Sequence, residues 1–204
     1  MAAVDLLIDE LTWMTAQWAK TGDARLKLLK AGDTAALATI FTGLGSLSYG
    51  ELAGERMKLG LILNDPEEEH DCFSDNTHNS HYYDALGIRN VYLGEYKRVD
   101  GSIIKGVSVS DLVGERDAAA DKELRSKLDA TMAAMKAMVR RAEATERYDQ
   151  MIGEGNDVGN AVVQAAIDGL TAQTTAIERA IAALNLKTIE FEGSDSLENP
   201  AQVR

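Results

Sequence analysis

Two short stretches hold most of the side chains in this sequence that could do chemistry. In Glu51-Leu-Ala-Gly-Glu55-Arg56-Met57 two carboxylates stand four residues apart, so on a helix they share one face, while Arg56 projects about 100° away. Like charges that close are costly unless a cation joins them. The pair is therefore a candidate grip for a metal ion or a guanidinium; a solvated acidic face, or Glu55 paired with a basic group elsewhere, is the structural alternative. In the run from Glu67 to His78, every side chain except Cys72 and Phe73 accepts or donates strongly, so the run cannot all face a core. A helix from Glu67 would bring His70 near Glu67 and Ser74, and a further turn from Asp75 would bring His78 near Asp75 and His81. Imidazole plus carboxylate is a usable ligand set for iron or zinc.

The same residues also have ordinary structural roles. Ser74 and Asp75 suit helix caps, His70 a satisfied buried imidazole, and Glu67 and Glu68 a solvated first turn favoured by the helix dipole. Cys72 lacks an adjacent basic group and stands beside Phe73, which points to burial and not to a nucleophile. The sequence contains no HExxH, GxSxG, Walker-type loop, CxxC or dinucleotide fingerprint, so an ordinary hydrolase, kinase or dehydrogenase reading has no footing.

Helices must position these groups. Val4, Leu7, Leu11, Met14 and Trp18 step by three and four residues and predict a helix with a buried stripe, ending near Thr21-Gly22-Asp23. Asp33 suits the N-cap of a second helix carrying Leu37, Ile40, Phe41 and Leu44, and Gly43, Gly45 and Gly50 then predict a break or a close-packing point. Leu52, Leu59 and Leu63 continue an apolar face to Asn64-Asp65-Pro66, where proline starts a new turn. An Asp100-Gly101 turn between β-compatible residues predicts a hairpin or extended loop over 96–106. The series Leu124, Leu128, Met132, Met135, Val139 and the series Val163, Ile167, Leu170, Thr174, Ile177, Ile181, Leu184 predict two long packing helices joined through 153–157. The expectation is an all-α bundle of four to five long helices, with a single domain over 1–192 and a fraying tail over 193–204.

Composition agrees, with two prolines, 5% aromatics and abundant helix formers. A net charge of −12, without an offsetting basic cluster, argues against nucleic-acid binding. The start Met1-Ala-Ala-Val-Asp has neither a basic region nor an apolar run, and no apolar stretch approaches the length of a membrane span, so neither a signal peptide nor a transmembrane segment is expected in the chain.

The runs Gly43 to Met57, Glu68 to His78 and Leu86-Gly-Ile-Arg-Asn-Val-Tyr-Leu-Gly94 resemble the imelysin family in order and length, above all its iron-regulated protein A branch. The likeness covers essentially 3–192 and matches the family's C-terminal half; the Gly-x-His-x-x-Glu motif of its N-terminal half does not occur here. The resemblance implies a periplasmic or outer-membrane-associated bacterial protein linked to iron acquisition, with an N-terminal imelysin half or another envelope protein as partner. It carries over Glu51, Glu55, Arg56, Glu69, His70, Ser74, Asp75, Asn76 and His78 as a functional cluster, with His70, His78 and Glu55 as ligands for iron or another divalent metal. A metal role for His81 rests on spacing alone. The family also implies insulin-cleaving metallopeptidases, in which Arg56 or His78 would stabilise the electrophile, and an interaction module is a third reading. No catalytic residue is assigned, and the chain by itself is expected to be inactive as an enzyme. Binding is preferred to catalysis because the sequence holds ligands without a general base beside a metal pair.

Overall fold

The computed structural model describes residues 2–187 and 189–203. It is an all-α structure with one small hairpin, as composition and periodicity predict. It divides into two compact units, Met1–Ile40 and Phe41–Arg204.

The first unit holds α1 (Ala2–Gln17), α2 (Asp23–Lys30) and the opening turns of α3 (Asp33–Ser46). The predicted stripe is helical from Val4 to Met14, with Trp18 in the turn just after α1, but Val4, Leu7, Leu11, Met14 and Trp18 are each more than half exposed, so it is not the buried face expected of it. Periodicity tells which face would gain from cover, not whether a cover exists. Leu6, Ile8 and Trp13, off that stripe, are exposed as well, leaving α1 apolar on several sides.

In the second unit α3 runs on into a π-helical segment, Leu47–Lys58, and then α4 (Leu59–Leu63), which stops at Asn64 in the left-handed region. The glycines here are close-packing points and not a break. A Cβ at Gly45 would lie 2.1 Å from the Phe191 ring, at Gly50 2.4 Å from the Glu192 carbonyl oxygen, and at Gly54 2.2 Å from the Ser194 side chain. Only bare backbone lets residues 191–194 lie across the π segment. Ser194 and Ser196 are consequently buried and Asp195–Glu198 is a short helix, where the sequence predicted fraying from 193 onward.

Pro66–Glu68 form one 3₁₀ turn, capped by the Asp65 side chain on Glu67 N–H, and α5 spans Thr77–Leu93. The hairpin forms as predicted, β1 (Glu95–Lys97) antiparallel to β2 (Ile103–Lys105) with Tyr96 opposite Ile104. After α6 (Val109–Arg116) come the two long helices, α7 (Ala118–Ala144) and α9 (Asp157–Ala183), joined by the short α8 (Tyr148–Ile152). Asp117 caps α7 and Asn156 caps α9.

The π segment, α5, α7 and α9 close around Leu52, Met57, Ala85, Met132, Met135, Met138, Val163, Ile167 and Leu170. Met138 takes the buried place that the sequence series gave to Val139, which is only partly covered. Each fully buried Leu, Ile or Met of this core contributes roughly 1.5–3 kcal/mol. Ser48 fixes the register of the π segment on α9: its hydroxyl donates to Leu170 O at 3.0 Å and accepts from Gln173 and Thr174.

Candidate functional site

Between the 3₁₀ turn and α5 the chain runs through turns over 70–75 instead of the predicted helix, and Asp75 sits at φ +52°. Thr77, fully buried at the start of α5, ties this loop inward. Its hydroxyl accepts from Asp71 N–H at 3.1 Å and donates to Glu69 Oε2 at 3.1 Å. With the polar groups turned in, Cys72 and Phe73 turn outward, and both are exposed, contrary to the burial expected from their adjacency. Ser74 donates to Asp71 O within the loop, and Asn76 accepts from Asn79 at the foot of α5, so both serve the local fold.

Opposite this loop, α8 is anchored by buried Tyr148, Met151 and Ile152. Asn160 donates to the carbonyl oxygens of Met151 and Gly153, and Asn156 to Glu146 and the Gln150 carbonyl. This anchoring brings Asp149 to the loop. Ligand oxygens of Glu69, Asp75 and Asp149 all lie within 4.8 Å of one another, the one such group of three His, Cys, Asp or Glu side chains among the described residues. Arg147 pairs with Asp75 at 3.1 Å. Burial raises the pKa of Glu69; the Thr77 hydroxyl opposes the rise, and Asp149, Asp75 and Asp71 add to it.

Near the cluster, Asp149 Oδ1, Tyr148 Oη and His78 Nδ1 are buried and lack hydrogen-bond partners among the described residues. Tyr148 is 1% exposed, and burial, then the charge of Glu69, raises its pKa. His81 meets Tyr148 edge-on with ring centroids 5.1 Å apart, and His70 at 6.2 Å. Burial, then the positive charges of His70 and Arg56, lower the pKa of His81 to about 3, so it is a neutral ring at physiological pH. His78 is buried too. Burial, then Arg147, lower its pKa, and its Nε2 lies 3.3 Å from Asn79 Nδ2.

The other predicted stretch is organised differently. Arg56 bonds Glu51 through Nε at 2.9 Å and Nη2 at 2.8 Å, and Asp84 through Nη1 at 3.3 Å. Asp84, one turn beyond His81 on α5, is pushed up by burial and pulled down by Arg56. Glu55 does not share their cluster, since its Oε1 accepts from Ser194 of the C-terminal strap at 2.6 Å.

The predicted functional residues thus fall into separate groups. Glu69 and Asp75 meet; Glu51 and Arg56 meet; Ser74 and Asn76 serve the loop; Glu55 faces the strap. Glu55, His70 and His78 are not brought together as a three-ligand group. Asp149, Tyr148 and Asp84 went unnoticed. Asp149 belongs to a short acidic-apolar run whose type and spacing resemble any surface helix turn, and only its contact with a loop far back in the chain marks it.

Three carboxylates with one guanidinium beside them form an anionic pocket edge suited to a cation. The donor chemistry and the orphaned Asp149 Oδ1 fit a metal ion, held by Glu69, Asp75 and Asp149. In comparison with known proteins, the family model described as imelysin, a peptidase by its title, matches residues 1–177. No curated protein matches the chain.

Proposed function

Because the chain belongs to the imelysin family, we propose that it is a metal-binding protein of iron acquisition at the bacterial cell envelope, with Glu69, Asp75 and Asp149 as its metal ligands. The observation that carries this reading is the convergence of three carboxylates within 4.8 Å, with an Asp149 oxygen that has no hydrogen-bond partner among the described residues. A metal ion bound there supplies the positive charge that Arg147 alone does not. Thr77 orients Glu69, the anchored α8 holds Asp149, and the left-handed turn at Asp75 directs the third ligand.

The iron-acquisition role, a periplasmic or outer-membrane-associated location, and an N-terminal imelysin half or another envelope protein as partner rest on the family. No described helix is long and apolar enough to cross a membrane. Binding is preferred to peptide hydrolysis, which needs an electrophilic stabiliser and a base beside the metal. Arg56 is already committed to Glu51 and Asp84, and burial, then Arg147, lower the pKa of His78 and so disfavour the charged form that would stabilise an electrophile.

Calorimetric titration with manganese(II) and, anaerobically, iron(II) tests the reading. Saturable binding that disappears in Asp149→Ala and persists in Glu51→Gln is expected. A protein that binds neither of these ions, nor zinc or copper, would refute it.

A further inference from the structure

The donors that converge on the site are all oxygens. Glu69, Asp75 and Asp149 supply carboxylates; the Thr77 hydroxyl lies 3.1 Å from Glu69 Oε2, and the buried phenol of Tyr148 belongs to the residue before Asp149 in the chain. The nitrogen and sulfur donors nearby are placed otherwise. His81 is packed against Tyr148 and His70, His78 bonds Asn79, and Cys72 is exposed; none of them joins the ligand group.

From this donor set we infer that the centre takes a hard, oxygen-seeking cation, in the class of calcium, manganese(II) and ferric iron, with imidazole and thiolate outside its coordination. The inference rests on the metal-binding reading above and narrows it. The Tyr148 hydroxyl supports it independently of the acidic cluster: it is buried, lacks a hydrogen-bond partner among the described residues and feels the charge of Glu69. A hard cation satisfies oxygen atoms directly or through its retained waters, whereas zinc or copper would favour imidazole, and no histidine nitrogen joins the three carboxylates as a ligand group among the described residues. Arg147 on Asp75 occupies the outer edge as a weak competitor for the same negative charge.

Terbium(III), a luminescent probe with the same oxygen preference, distinguishes the outcomes when titrated into the whole chain under tyrosine excitation. One saturable sensitised emission is expected, competed away by calcium and by manganese(II). Asp149→Asn, and Asp75→Asn at an exposed position where the fold is not at risk, should each weaken terbium binding by about tenfold or more. His70→Ala, also at an exposed position, should leave it within about twofold. Tyr148→Phe should dim the sensitised emission while terbium excited directly still binds; unchanged emission would place the ion elsewhere and overturn the inference. Zinc or copper(II) binding that is lost in His70→Ala or His78→Ala and untouched in Asp75→Asn would also overturn it, together with the assignment of the three carboxylates as ligands, leaving only metal binding as such in place. Failure of terbium, calcium, manganese, iron, zinc and copper alike to bind would overturn both.

Discussion

Two groupings of carboxylates in the same unit, built from nearly the same residue types, end in opposite electrostatic states. Around Arg56, one guanidinium reaches Glu51 at 2.8 Å and Asp84 at 3.3 Å. Around Glu69, three carboxylates converge, and among the described residues the cation paired with them is Arg147, on Asp75 at the exposed edge. The first grouping is a structural clasp between the π segment and α5. In the second, burial and like charge raise the pKa of Glu69, and an Asp149 oxygen has no hydrogen-bond partner among the described residues. Whether a carboxylate cluster serves stability or binding is thus decided by the cations within reach, and the count of carboxylates does not decide it.

The largest expected effect concerns His81, whose ring meets Tyr148 on one side of this comparison and feels the charge of Arg56 on the other. Its folded pKa of about 3 lies below the unfolded value of about 6.5, so the unfolded chain binds the extra proton as pH falls. Its contribution to stability is fully present above about pH 6.5 and is lost progressively toward pH 3, at up to about 1.4 kcal/mol per pH unit. Urea unfolding at pH 7 and pH 5 should show that loss, and His81→Phe should flatten it.

Next in size is the gain from metal. With manganese(II) at about a hundred times its Kd, stability should rise by about 2.7 kcal/mol in the native sequence and in Glu51→Gln, and not in Asp149→Ala. A metal-dependent shift that followed Glu51 instead of Asp149 in thermal melts would reverse the roles of the two groupings.

Arg56→Met leaves Glu51 and Asp84 facing each other without their cation, and should cost roughly 1–2 kcal/mol. Partial exposure, 40% and 31% for those carboxylates, keeps the cost at the lower end, and manganese affinity should stay unchanged by calorimetry. The smallest effect is expected from Arg147→Gln. Removing the competing cation should tighten manganese binding severalfold, equivalent to under about 1 kcal/mol, with an unfolding midpoint near that of the native sequence.

The sequence carried part of this in local chemistry. The hairpin was legible because the Asp100-Gly101 turn is local, and α7 and α9 because their apolar period recurs over seven turns and more. Glu69 and Asp75 were legible as candidate ligands because the run from Glu67 to His78 is too polar to be core. Local information failed where cover was at issue. The α1 stripe has the period of a buried face and is exposed, and Cys72 and Phe73 look like core residues and point outward.

By itself, then, the sequence determined the helical class, the family and the loop on which two of the three clustered carboxylates lie, since each depends on side chains a few residues apart. Tertiary structure alone decided the rest. It assigned Glu55 to the Ser194 strap, paired Arg56 with Asp84, and brought Asp149 from α8 to Glu69 across some eighty residues of chain. Such pairings depend on how helices pack, and packing is a property of surfaces distant in sequence, which spacing along the chain does not encode.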